Sequence, residues 1–124
     1  MVPVYLSKEW IQEADAALRA SGLCTEYGDR FAVEQRVGEV VFHMVFDGDG
    51  ARVGAGSAVD PAVVLSQSRD TAVAIAQGEL SAEEAVLNGL TVVDGNPLAL
   101  LSHHSILARA NDVFAEVRAR TDWS

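Results

Sequence analysis

Lysine appears once in this sequence, as Lys8, and the nine basic residues face 18 acidic ones for a net charge of −9. That balance argues against nucleic acid as a partner, because its binding rests on Lys and Arg neutralising phosphates. Anionic lipid surfaces are disfavoured too, since each basic residue near such a surface contributes about 1 kcal/mol and each acidic one opposes. Cysteine also appears once, as Cys24, so no disulfide forms within the chain. A reducing compartment, the cytoplasm, is the expected location. No window approaches the roughly 20 apolar residues of a spanning helix. Met1 to Leu6 has neither a basic n-region nor an apolar stretch of leader length. We therefore expect no stable membrane insertion and no secretory signal.

Framed catalytic groups are equally scarce. His103 and His104 are adjacent, so on a helix they point about 100° apart and do not share a metal as residues four apart do. His43 alternates with Val41 and Val45 and reads as a structural or surface histidine. Asp47-Gly48-Asp49-Gly50 begins like a calcium loop, yet Ala58 stands where a bidentate Glu belongs, so it reads as a turn. Gly54-Ala55-Gly56 lacks a third glycine and precedes no helix, which rules out a dinucleotide fingerprint. Cys24 follows a helix end instead of opening a helix, where a thiolate is favoured. Ser7, Ser66, Ser81 and Ser105 are explained as caps or strand ends. The expectation is no catalytic residue, no metal and no cofactor.

What is present is apolar surface arranged with clear periods. With 124 residues, 49% of them hydrophobic, the chain is long enough to bury a core as one domain, residues 1–124. Ser7 caps a helix of about fifteen residues, with Leu6 and Ile11 placed as a hydrophobic staple. Trp10, Ile11, Ala14, Ala17 and Leu18 form its apolar stripe, and Gly22 ends it. From Phe31 the period becomes two. Phe31, Val33, Gln35 and Val37 face one way, Ala32, Glu34 and Arg36 the other, giving a half-buried strand. Val40 to Phe46 is apolar on nearly both faces and belongs inside a sheet. Asp47-Gly48-Asp49-Gly50 then turns the chain into a short Gly-rich edge strand, Arg52 to Ala55. Ala62 to Leu65 makes a fourth strand. Pro97 to Arg120 is helical, with Ser102-His103-His104-Ser105 marking a break and Ser105 as a new cap.

The run from Arg69 to Leu101 is the most heavily punctuated. A helix ends at Gly78, and Ser81 with Glu84 forms a capping box for a second helix, the carboxylate reaching back to the amide of Ser81. Asn88-Gly89 stops that helix and Thr91 to Val93 is a strand. Asn96 caps a third helix, with Pro97 at its first position. The segment GELSAEEAVLNGLTVVDGNPLALL resembles the signature of the sterol carrier protein type two family. The matching positions are Gly78, Leu80, Ala85, Val86, Leu87, Gly89, Gly95, Asn96, Leu98, Leu100 and Leu101, and the likeness extends over roughly Phe31 to Leu107. The family commonly has Phe-Met where this chain has Val86-Leu87.

Periodicity alone predicts an α+β domain, about five strands in a largely antiparallel sheet with helices covering one face. Phe42, Met44 and Phe46 from the sheet, and Ile75, Ala76, Ala85, Val86, Leu87 and Leu101 from the helices, are expected to face inward. On periodicity they form an ordinary filled core. The resemblance implies instead an apolar cavity for a sterol, a fatty acid or a fatty acyl chain, without covalent chemistry, and the alanines and valines of the covering helices suit one. The expected partner is a lipid or other apolar small molecule. One rival is an interaction module with a filled cavity, pairing with an enzyme or with itself as a homodimer through the Trp10 helix or through Val117 and Trp123. Another is an enzyme on an apolar substrate with His43 or a buried carboxylate as its proton-transfer group.

Overall fold

A computed structural model describes residues 3–25 and 29–123. Helix α1 (Lys8–Ala20) begins where the Ser7 hydroxyl accepts the Trp10 N–H at 3.2 Å, and it runs 13 residues. Strands β1 (Phe31–Val37), β2 (Val40–Asp47), β3 (Gly50–Ala55) and β4 (Val63–Gln67) follow. Then come α2 (Arg69–Ala76), α3 (Ala82–Leu87), β5 (Thr91–Gly95), α4 (Pro97–Ser102) and α5 (His104–Ala119). The five strands form one mixed sheet in the order β3-β2-β1-β4-β5, parallel only between β1 and β4. The sheet is thus mostly antiparallel, with β2 inside it and β3 at an edge.

Pairing register places Gln35 opposite Phe42, Val33 opposite Met44 and Val53 opposite Met44, so these residues share the helix-facing side. Helix α1 lies along β3, and its Asp15 carboxylate accepts the Val53 N–H at 2.8 Å. That bond satisfies an edge-strand donor that would otherwise invite another chain. Leu18, Phe31, Phe46 and Val63 are fully buried at the centre.

β1 is buried on both sides, not one. Residues 56–62, between β3 and β4, cross β2 and β1 on the face away from the helices. The Gly56 N–H bonds the Val41 carbonyl, the Ala62 N–H bonds the Ala32 carbonyl, and the Ala58 N–H bonds the Glu34 carboxylate at 3.0 Å. Ala32 and Glu34 are therefore 1% and 2% exposed. Alternation could not foretell this, because the cover comes from a loop that the parallel β1–β4 pairing requires. Beneath the crossover His43 Nδ1 lies 2.8 Å from the Gly56 carbonyl, and the ring sits on Gly54, where a Cβ would be only 2.7 Å away. His43 is a packing residue.

Helix ends follow the sequence closely. α3 starts with the Ser81 hydroxyl accepting the Glu84 N–H, and ends with the Gly89 N–H on the Val86 carbonyl and the Leu90 N–H on the Ala85 carbonyl. Gly89 has φ +74°, the conformation this double closure needs. Two expectations are corrected. The Glu84 carboxylate meets the Ser81 hydroxyl at 3.3 Å instead of the backbone amide. Ser105 is no cap: the chain breaks at His103, whose N–H still closes α4 on the Ala99 carbonyl while its own carbonyl accepts from Leu107.

The two ends of the described chain are tied together. Tyr5 N–H bonds the Asp122 carbonyl and Asp122 N–H bonds the Pro3 carbonyl, both at 2.8 Å. The Tyr5 ring packs on Trp10 and Trp123 with centroids 5.0 and 4.8 Å away, and Trp10 Nε1 donates to Thr121 at 3.0 Å.

Two pH effects follow. The Arg36 guanidinium, with help from the Ala58 amide, holds the Glu34 carboxyl below its usual range, and Arg52 does the same for Asp47. Depressed carboxyl values add stability above the unfolded value of about 4.3, and this is lost as pH falls through the folded values. Urea midpoints measured from about pH 7 down to about pH 3 should fall for the wild type and fall less for Glu34→Gln. Burial pushes the Tyr5 phenol up to about 12. Its contribution is complete below about pH 10 and disappears as pH rises through the folded value. An ultraviolet titration should show a tyrosine transition near 12 that vanishes in Tyr5→Phe.

Candidate functional site

Between the helix-facing side of the sheet and helices α1, α2 and α5 lies a pocket of about 200 Å³. Its floor is Phe42 and Met44 from β2, with Gln35 from β1 and Gln67 from β4. Helix α2 contributes Ala72, Ile75 and Ala76, and α5 contributes Leu107, Ala110 and Phe114 at spacings of three and four, one helical face. Alanine at positions 72, 76 and 110 matters here. A small side chain opposite Phe42 and Met44 leaves space that leucine would fill.

The pocket has two unlike ends. Tyr5 and Arg118 stand at one, where α2 begins and α5 finishes: the Arg69 guanidinium carbon is 5.5 Å from the Tyr5 ring centroid, and Tyr5 bonds Asp122 just beyond α5. Ala76 and Leu107, the far ends of the same helices, line the other. Polar side chains thus collect toward Tyr5, and aliphatic ones away from it. Gln67 is partly engaged, its Oε1 accepting from the Thr91 hydroxyl at 2.7 Å.

Of the residues expected from sequence to face a cavity, Phe42, Met44, Ile75 and Ala76 line this pocket. Phe46 is fully buried and stacks on Phe31, rings 6.1 Å apart, in the solid core. Ala85 is also fully buried, beneath α3, away from the pocket. The inward orientation expected for Val86, Leu87 and Leu101 is corrected: they are 43%, 83% and 70% exposed. α3 has six residues and docks on β5, the sheet edge, so it buries one stripe, Ala85. On α4 the half-buried side is Ala99 and Leu100, and Leu98 and Leu101, three apart, share the outer face. Val117 and Trp123 are not an outward face either. Val117 is fully buried, and Trp123 packs on Tyr5.

Sequence reading missed Trp10, Ala14 and the α5 face as pocket wall. Leu107, Ala110 and Phe114 were legible as a stripe, but a stripe does not say whether it meets side chains or space. Gln35 and Gln67 carried a signal, being polar residues on the apolar face of their strands. Among the described residues no three His, Cys, Asp or Glu side chains converge as a metal site, and no helix is long and apolar enough to cross a membrane.

No family model matches the sequence, and no curated protein is significantly similar to it. Solved structures are similar in fold. A double mutant of the sec-alkyl sulfatase PisA1 superposes on 81% of this chain with TM-score 0.61 and 12% identity, and this chain spans 16% of that one. Sterol carrier protein 2 matches 92% of this chain and 97% of its own length, with TM-score 0.59 and 16% identity. Palmitated SCP2L2 from Aedes aegypti matches 82% of this chain and 93% of its own, with TM-score 0.51 and 20% identity. The sulfatase accommodates this arrangement in a small part of a larger molecule, whereas the carrier proteins match it nearly end to end. With a mixed, mostly antiparallel five-stranded sheet and five helices among the described residues, this chain has the fold of the sterol carrier protein 2 domain.

Proposed function

We propose that this protein is a non-enzymatic cytoplasmic carrier that encloses one lipid-like molecule, a sterol, a fatty acid or a fatty acyl chain, in the pocket between the sheet and α1, α2 and α5. The observation that carries the reading is the pocket's wall: aromatic and long side chains on the sheet face alanines on the helices. The solved structure of a palmitated protein with this fold supports it. Binding is driven by removing the chain from water, at about 0.8 kcal/mol per CH₂ before the costs of ordering. Few polar contacts are then required. Selectivity rests on length and shape and is coarse, since one methylene discriminates by only about 1 to 3 kcal/mol.

A second reading has its own observation. Val86, Leu87, Leu90, Val92, Leu98 and Leu101 are all at least 43% exposed and belong to α3, β5, α4 and their connections. Apolar surface gathered in one segment favours an interaction module.

Purified protein examined by native mass spectrometry should carry or take up a single lipid, and a fluorescent fatty acid should be displaceable at micromolar concentration. Ala76→Phe, which fills the pocket from α2, should lower that affinity by about tenfold or more while leaving the circular dichroism spectrum unchanged. No uptake by the wild type would overturn the carrier reading. Sedimentation showing a tight dimer that Leu87→Glu dissociates, without any ligand uptake, would establish the interaction module in its place.

A further inference from the structure

The chain has twice as many acidic as basic residues, and yet no carboxylate among the described residues lines the pocket. The charged side chain that does line it is Arg118. Its guanidinium donates to the Asn111 side-chain oxygen at 2.9 Å and to the Asn111 carbonyl at 3.1 Å, both neutral acceptors. Among the described residues no carboxylate forms a salt bridge with it. A guanidinium carries five N–H donors, so its charge and part of its donor set remain available.

The neighbouring polar groups are of the same kind. Gln67 spends its oxygen on Thr91, which leaves its NH₂ as the group it can offer a ligand. The Tyr5 hydroxyl stays protonated across the ordinary pH range, since burial raises its value, and Arg69 and Arg118 both act on it electrostatically. Donors and a positive charge therefore gather where α2 begins and α5 ends, and aliphatic side chains gather at the opposite end beside Ala76 and Leu107. Neutral hydroxyls or esters use such an end poorly, because they make only uncharged hydrogen bonds with it. A carboxylate takes a charge-assisted, bidentate pair from arginine.

Size narrows the choice further. About 200 Å³ is smaller than the roughly 300 Å³ at which pockets for drug-sized ligands begin. That suits a medium-length single chain better than a four-ring sterol.

Resting on the carrier reading, we propose that the ligand is a medium-length single-chain carboxylate, bound with its head on Arg118 and its tail toward Ala76 and Leu107.

Isothermal titration calorimetry at neutral pH with octanoate, octan-1-ol and methyl octanoate tests this directly. Octanoate should bind about tenfold or more tightly than the other two. Arg118→Gln should weaken octanoate to the level of the alcohol and leave the alcohol unchanged, which also shows the variant to be folded. Arg118→Lys should retain a preference for the acid. Equal binding of all three probes, or an equal loss of all three in Arg118→Gln, would overturn the carboxylate assignment and leave the carrier reading in place. Binding of none of them, by a protein that still takes up a lipid in native mass spectrometry, would overturn the carboxylate assignment alone, and absence of both kinds of uptake would remove the carrier reading too.

Discussion

Helix α5 is pinned to the rest of the molecule at both ends, and the pocket exists because of it. At its start the His103 ring stacks on Phe31, centroids 4.1 Å apart and planes 4° from parallel. Past its end Thr121 accepts from Trp10 Nε1, and Asp122 is bound to Tyr5. Between the pins Leu107, Ala110 and Phe114 face the sheet across open space. Protein interiors close to crystal-like density wherever an element is free to settle. An element of 16 residues, roughly 24 Å long and held at both ends, cannot settle in its middle.

The sheet resists closure from below for a related reason. β1 pairs antiparallel with β2 and parallel with β4, so it is the central strand and is hydrogen-bonded on both sides. The parallel pairing obliges the chain to cross the back of the sheet, and that crossing buries Ala32 and Glu34. Glu34 is satisfied there by Arg36 and the Ala58 amide. With its far face covered, β1 backs the floor of the pocket with packed chain. What varies along it is chemistry, from the amides of Gln35 and Gln67 to the side chains of Phe42 and Met44.

Much of the architecture was legible because local rules wrote it. Ser7, Ser81 and Asn96 cap the helices they were expected to cap, and Gly22, Gly78 and Gly89 take positive φ after helix ends. Apolar residues on nearly both faces from Val40 to Phe46 marked an internal strand, and β2 lies inside the sheet. The inward-facing set was legible in part. Phe42 and Met44 lie two apart on an eight-residue strand, whose period keeps them on one face, whereas Val86, Leu87 and Leu101 lie on six-residue helices. A helix that short buries only the residues its docking site happens to cover, and α3 docks on an edge.

Capping, turn chemistry and periodicity are properties of a few neighbouring residues, and the sequence by itself determined them, together with the acidic balance and the small residues on the helices. Which stripe meets solid core and which meets space depends on how elements far apart in the chain are held against one another. Tyr5, Trp10 and Trp123 come together only when the ends of the chain are joined, and Phe31 meets His103 only across the sheet. The pocket, its polar end at Arg118 and the outward turn of Leu87 and Leu101 were therefore decided by the tertiary structure, because empty volume belongs to no residue and arises only between them.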